Sequence, residues 1–310
     1  MGFGLLSDKF SRCRPLGVGA VLLAAVGCST QHAEPEPEPE GGRTAAPRAS
    51  ALLASADLRL PIEDYLFSDA EAGRVRQAQQ TLIERCARRF DLTYEPVSAG
   101  PPVGPRSLMD RRYGLTDAKL ARADGYHLGD RDPRTTKTEE FEVPKGKMLT
   151  VLTGKSGASG GGKVNGVEVP AGGCAGEAGR KLSKDDKLGS SDVAQDLNGK
   201  SFSATKEDPR VLAAFTSWSR CMKDEGFSYP DPLTVMNDSR FQGRKSTPLE
   251  IRTAVADVAC KGRVNLVGIW FAVEVEYQKS LIAENQKDLK PVLQDKRYQL
   301  EAAEAVNPPG

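Results

Sequence analysis

Apolar positions recur at helical spacing over much of the chain. Val75, Ala78, Leu82, Cys86 and Phe90 stand three or four residues apart, which places them on one helical face. Ser68-Asp69-Ala70-Glu71 precedes them and reads as a capping box. A second helix is predicted from Asp208-Pro209, a cap followed by proline at the first helical position. Its inward face carries Val211, Phe215, Trp218, Cys221 and Met222, and Gly226 is its natural stop. Thr247-Pro248-Leu249-Glu250 starts a third helix, with Ile251, Val255, Val258 and Cys260 facing inward or towards a partner. From about Val264 the pattern stays helical through Val267, Phe271, Val275, Ile282 and Leu289, interrupted by Gln278 and Asn285. Leu266 to Val275 is apolar on almost every side, which predicts core, with a membrane-inserted or partner-binding segment as the sharper alternative. Pro291 removes a backbone donor, so a kink or split is expected there. Lys287 to Ala305 is rich in strong helix formers. Strand signals are few. Lys147 to Thr153 is one candidate, and Lys163 to Val169 predicts a small hairpin around Asn165-Gly166.

The first residues change the picture. Lys9, Arg12 and Arg14 precede the apolar run Leu16 to Gly27. That run is shorter than the roughly 20 residues needed to span a bilayer, and the order is that of a secretory signal. It ends in Ala25-Val26-Gly27-Cys28. This resembles a bacterial lipoprotein lipobox, with Ala25 where the usual first residue is Leu. The resemblance implies a diacylglyceryl group on the Cys28 thiol and cleavage before Cys28. An ordinary signal cut near Ala25 and an uncleaved anchor are the other readings. Gln31 to Ser50 follows, with alternating Glu-Pro and then Gly, Ala and Pro. Such a segment builds no core and reads as an extended tether.

The six cysteines divide by position: Cys13 in the signal, Cys28 at the lipid site, and Cys86, Cys174, Cys221 and Cys260 in the exported part. Outside the cytoplasm an even number predicts disulfides, and four cysteines allow three connectivities. An internal echo favours one of them. After both Cys86 and Cys221 come Leu or Phe at six residues, Thr or Ser at seven and Tyr at eight. Each echo is followed by one further cysteine, so Cys86–Cys174 and Cys221–Cys260 are the expected pairs. The segments WSRCMKDEGFSYPDP, RRYGLTDAKLARADGYHL and VPAGGCAGEAGRKL together resemble a group of actinobacterial, chiefly streptomycete, exported lipoproteins, over about Leu58 to about Leu289. The resemblance implies export, lipid anchoring and paired cysteines, and no activity.

Candidate chemistry is sparse. Val151 to Gly166 invites two readings. Gly157 to Lys163 has the spacing of a phosphate-binding loop, but Val164 stands where a Ser or Thr is needed, and Asn165-Gly166 favours a turn over a helix. Gly157-Ala158-Ser159-Gly160-Gly161 matches a nucleophile elbow, but neither His32 nor His127 lies downstream of Ser159. A flexible glycine-rich loop is the better reading. Ser203-Ala204-Thr205-Lys206 has Ser-x-x-Lys spacing without its companion motifs. Two histidines and no Cys-x-x-Cys pair leave no basis for a metal or redox centre. His127 reads as structural or surface, and Glu139-Glu140 and Asp185-Asp186 as solvated surface. Lys plus Arg is 43 against 42 for Asp plus Glu, so no basic surplus points to nucleic acid.

The expected fold class is mainly α: a disulfide-stapled helical domain with a small β-hairpin and a long C-terminal helix. The expected organisation is a lipoprotein signal peptide (1–27), a lipidated cysteine with a Pro/Glu-rich tether (28–55), and a first helix–cysteine unit with glycine-rich loop and hairpin (56–200). A second helix–cysteine unit (201–263) and the C-terminal helix and tail (264–310) complete it. The expected function is a non-enzymatic cell-envelope binding or interaction protein, lipid-anchored at the outer face of the cytoplasmic membrane. Its partners would be the membrane and an envelope protein or peptidoglycan. No catalytic, metal or cofactor-binding residue is assigned. The alternatives are an envelope enzyme acting on peptidoglycan or glycan through carboxylates, and a transporter-associated solute-binding protein.

Overall fold

Ser68 caps the first long helix as its sequence demands: its Oγ accepts from the Glu71 N–H at 3.3 Å, and Glu71 returns to the Ser68 N–H at 2.8 Å. In the computed structural model, which describes residues 54–96, 100–137, 143–155, 162–184 and 187–308, the helices run in the following order. They are α1 (Asp69–Arg88), α2 (Ala118–Asp124), α3 (Gly146–Thr153), α4 (Gly173–Leu182), α5 (Asp192–Thr205), α6 (Pro209–Asp224), α7 (Pro232–Met236), α8 (Pro248–Arg263), α9 (Leu266–Glu284) and α10 (Gln286–Val306). Strands β1 (Lys163–Val164) and β2 (Val167–Glu168) form the antiparallel hairpin, closed by Asn165 and Gly166 at positive φ. The protein is mainly helical, with a long C-terminal helix and two disulfides. Cys28, Glu139-Glu140, Asp185-Asp186 and the Gly157–Gly161 stretch lie outside the described residues.

Two large apolar clusters hold the helices together. One gathers Trp218 and Met222 of α6, Val267, Trp270 and Val273 of α9, Leu197 of α5, and Tyr113. Trp270 is its centre, with Tyr113 and Phe215 rings at 5.0 Å and Phe202 at 5.5 Å, distances at which aromatic pairs add to area burial. The other cluster gathers Val75, Ala78, Leu82 and Phe90 with Val151 of α3, Ala178 and Leu182 of α4, and Ala303 of α10. α9 therefore serves one cluster and the far end of α10 the other.

Cys86 is bonded to Cys174, joining α1 to α4, and Cys221 to Cys260, joining α6 to α8. An ion pair lies one turn beyond each bridge. Arg89 meets Glu177 beyond the first, and Arg263 meets Glu225 at 2.8 Å beyond the second. The echo read in the sequence thus repeats as a stapled helix pair with a charge pair alongside, of opposite polarity in the two copies.

Two local expectations need correction. Lys147 to Thr153 is helical, as part of α3, rather than a strand. Its spacing seats Val151 in the second cluster, and Gly154 ends it at φ 72°. The end of α3 meets the start of α4 at backbone distance. A Cβ on Gly173 would lie 2.4 Å from the Leu152 carbonyl oxygen, and one on Gly154 would lie 2.6 Å from the Gly173 nitrogen, so both positions require glycine. The C-terminal helix divides at Asn285, not near Pro291. The Asn285 backbone N–H and side-chain amide both donate to the Leu281 carbonyl, at 3.1 and 2.7 Å. Pro291 sits exposed in the second turn of α10, and the helix continues through it although its backbone donor is missing.

Replacing each cysteine pair with alanines tests the staples. The two loops span 39 and 88 residues, for which chain entropy gives losses of about 4 and about 4.6 kcal/mol. Urea unfolding of the two double variants should show both losses. A loss below about 1 kcal/mol for either pair would exclude that bridge as a structural staple.

Candidate functional site

The start of α1, the preceding turn from Arg59 to Phe67, the segment Arg106–Leu108, α5 and Lys296 of α10 enclose a cleft of about 880 Å³. That volume lies in the range of small-molecule sites. Its inner wall is set by Lys296, whose side chain is about 10% exposed. The ammonium donates to the Leu66 carbonyl at 2.6 Å and the Asp64 carbonyl at 3.4 Å, and pairs with Glu71 at 3.1 Å. All three of its protons are therefore used by the fold. Burial raises the Glu71 pKa, but hydrogen bonds from the Ser68 N–H and from Lys296 outweigh it and hold the group below the usual carboxylate range. Glu71 is thus ionised at neutral pH and is not a proton donor. Glu63 accepts from the Leu60 N–H at 2.6 Å. Arg59 pairs with Asp64 at 2.6 Å, both well exposed.

A few residues after Arg106–Leu108 the chain enters a buried polar network. Arg112 bonds both oxygens of Glu274 on α9, with Nε at 3.0 Å from Oε2. The Tyr113 hydroxyl and Ser201 Oγ donate to the same carboxylate at 2.8 and 2.9 Å. Burial first, and then Glu274, push the Tyr113 hydroxyl far above its ordinary range, so it remains a donor. One turn on, Gln278 donates to Ser201 Oγ and accepts from the Ile62 N–H, both at 3.0 Å. Arg112 also donates to the Asn198 carbonyl at 3.1 Å, and that carbonyl lies 3.0 Å from Ser201 Oγ as a second acceptor for its single proton. Asn198 lines the cleft, but its side chain makes no hydrogen bond among the described residues, and its Oδ1 is buried without a partner.

The other residues singled out in the sequence stand apart from this cleft. His127 is buried, with Nδ1 3.3 Å from Asp132 and Nε2 3.5 Å from Glu250, and its Nε2 makes no hydrogen bond. Asp132 is itself pulled well below the carboxylate range by Arg134. Ser203 is exposed on α5, and Lys206 lies over the Phe202 ring at 5.4 Å. Lys163 opens β1 on the surface. A second hollow of about 890 Å³ lies beside Phe215 and Tyr229. Two of its three carboxylates are already used: Asp231 caps α7 through Leu233 and Thr234, and Asp238 holds Tyr229 and Arg240, while Glu207 is exposed.

Among the described residues, no group of three His, Cys, Asp or Glu gathers to hold a metal ion, and no helix is long and apolar enough to cross a membrane. Comparison with known protein families, curated proteins and solved structures finds no match.

Lys296, Asn198 and Glu274 were not singled out in the sequence. Glu274 did leave a signal, as the one carboxylate inside the apolar run Leu266 to Val275; a lone charge there calls for a buried partner. The Glu71 pairing has a pH consequence. Its folded pKa lies below its unfolded one, so its stabilisation is complete above the unfolded carboxylate range and is lost as pH falls through the folded value. Glu71→Gln should be less stable than the parent at about pH 7, with the gap narrowing below about pH 4, as read by urea unfolding across pH. A gap that stays constant down to about pH 2.5 would contradict the pairing.

Proposed function

We propose that the protein is an extracytoplasmic lipoprotein, anchored through Cys28 at the outer face of the cytoplasmic membrane, that binds a cell-envelope component without transforming it. The observation that carries this reading is the cleft at the start of α1. It is large enough for a ligand, yet its innermost cation is consumed by two carbonyls and Glu71, and Glu71 is held ionised. A binding surface fits that arrangement better than acid–base machinery, which needs a group poised near the working pH. The address is supported separately. Two disulfides in one domain fit an oxidising compartment. The lipobox-like Ala25-Val26-Gly27-Cys28 and the Glu-Pro tether fit an anchor with a spacer. The resemblance to actinobacterial exported lipoproteins favours the same reading.

The test begins with protein from the membrane fraction of its native cells, by non-reducing intact mass and peptide map. The expected product starts at Cys28, carries lipid there, and keeps both disulfides. An unlipidated chain, or one with its signal uncleaved, would overturn the anchor. In-cell cross-linking should then capture an envelope partner. Turnover of a cell-wall substrate with no captured partner would overturn the non-enzymatic reading in favour of an envelope enzyme.

A further inference from the structure

Resting on the binding role proposed for this same cleft, we infer that its ligand is a neutral glycan rich in hydroxyl and amide groups. The first ground is Asn198. It lines the cleft, its side chain makes no hydrogen bond among the described residues, and its Oδ1 is shut off from bulk water. A buried polar group without a partner calls for one. Rotation about the last side-chain torsion, which is soft for asparagine, presents the amide to the cleft.

The second ground is charge balance. Three cations line the cleft (Arg59, Arg106 and Lys296) against three carboxylates (Glu63, Asp69 and Glu71). Lys296 and Glu71 neutralise each other at 3.1 Å. An anionic ligand would meet the carboxylates, and a cationic one the arginines. Donors and acceptors nevertheless remain on offer. The Arg106 side chain is 57% exposed, with the Asp110 carboxylate 3.6 Å from its Nε. Asp69 is exposed on the first turn of α1. Hydroxyls both donate and accept, so they can answer each of these groups without bringing net charge.

The third ground is apolar surface. Phe67 and Leu108 line the same cleft and offer carbon surface to the C–H faces of sugar rings. Such a mixture of apolar surface with a few placed polar groups is usual for a ligand site. An extended peptide is less well suited. Peptides commonly add to a sheet edge, and the β1–β2 hairpin contributes nothing to the lining.

The probe is the β-1,4-linked tetramer of N-acetylglucosamine, titrated calorimetrically into the full lipidated chain in detergent micelles. An end-blocked tetra-alanine peptide and sodium acetate are titrated in parallel. Saccharide binding is expected, little changed between low and high salt. Asn198→Ala should weaken it at least tenfold. Arg106→Ala, at an exposed position that the fold tolerates, should weaken it severalfold. Asp231→Ala in the second hollow should leave it unchanged. Absence of saccharide binding at millimolar concentration, binding indifferent to both cleft variants, or binding of the peptide or acetate alone would each overturn the glycan assignment. With lipidated Cys28 found in the mass measurement, those outcomes would leave the anchored binding protein standing with a different ligand. Cleavage of the tetramer would support the glycan site and overturn the non-enzymatic role.

Discussion

Glu274 is a carboxylate with no access to water, set in the most apolar of the long helices among the described residues. Leaving it unpaired there would cost several kcal/mol. Four donor atoms answer it: two from Arg112, the Tyr113 hydroxyl and the Ser201 hydroxyl. These come from the segment before α2 and from α5, so satisfying one charge fixes three parts of the chain against each other. Gln278 extends the constraint to the turn before α1 through Ile62. The segments that flank the cleft are thus tied to one point on α9. Arg106–Leu108 lies a few residues before Arg112, and the Asn198 carbonyl accepts from Arg112. A rigid frame of this kind is what keeps a binding site in shape before its ligand arrives.

The staples act on a different scale. The two disulfides limit the unfolded chain, and each joins helices already packed through one of the two large clusters. A second buried charge pair reinforces the α8 side. Asp257 and Lys261, both without solvent exposure, meet at 2.8 Å, while Trp218, Tyr126 and the Leu115 carbonyl take the remaining bonds. Burial pushes the Asp257 pKa up and the Lys261 pKa down, each opposed by the partner's charge. Such networks cost desolvation and return a defined arrangement of the groups they join. Here that arrangement sets α8 against α6 and against the segment before α2.

Helix positions, caps and cysteine pairing were legible because each rests on short-range rules. Ser68, Asp208 and Thr247 all cap as their sequences indicate, and the echo around Cys86 and Cys221 points to the two bridges observed. What depended on distant partners was not legible. The stripe expected on α9 ran through Phe271 and Val275, which are half-buried. The buried face instead takes Trp270, Val273, Glu274 and Gln278. Gln278, which breaks the apolar pattern, faces inward because Ser201 and Ile62 await it. Lys147 to Thr153 gave a weak local signal, and packing against α1 and α4 decided it in favour of helix. The cleft leaves no local signal for the same reason: Phe67, Arg106, Asn198 and Lys296 are scattered through the sequence and share no motif.

The dependence on Glu274 is tested most directly by a double-mutant cycle of Arg112→Met and Glu274→Leu, read by urea unfolding. If the pair anchors the frame, each single change costs about 3–5 kcal/mol, because it strands a buried group. The double variant should then lose less than the sum by about 1–3 kcal/mol. Single losses below about 1 kcal/mol, or strict additivity, would mean that apolar packing alone positions these segments and that Glu274 is not the anchor.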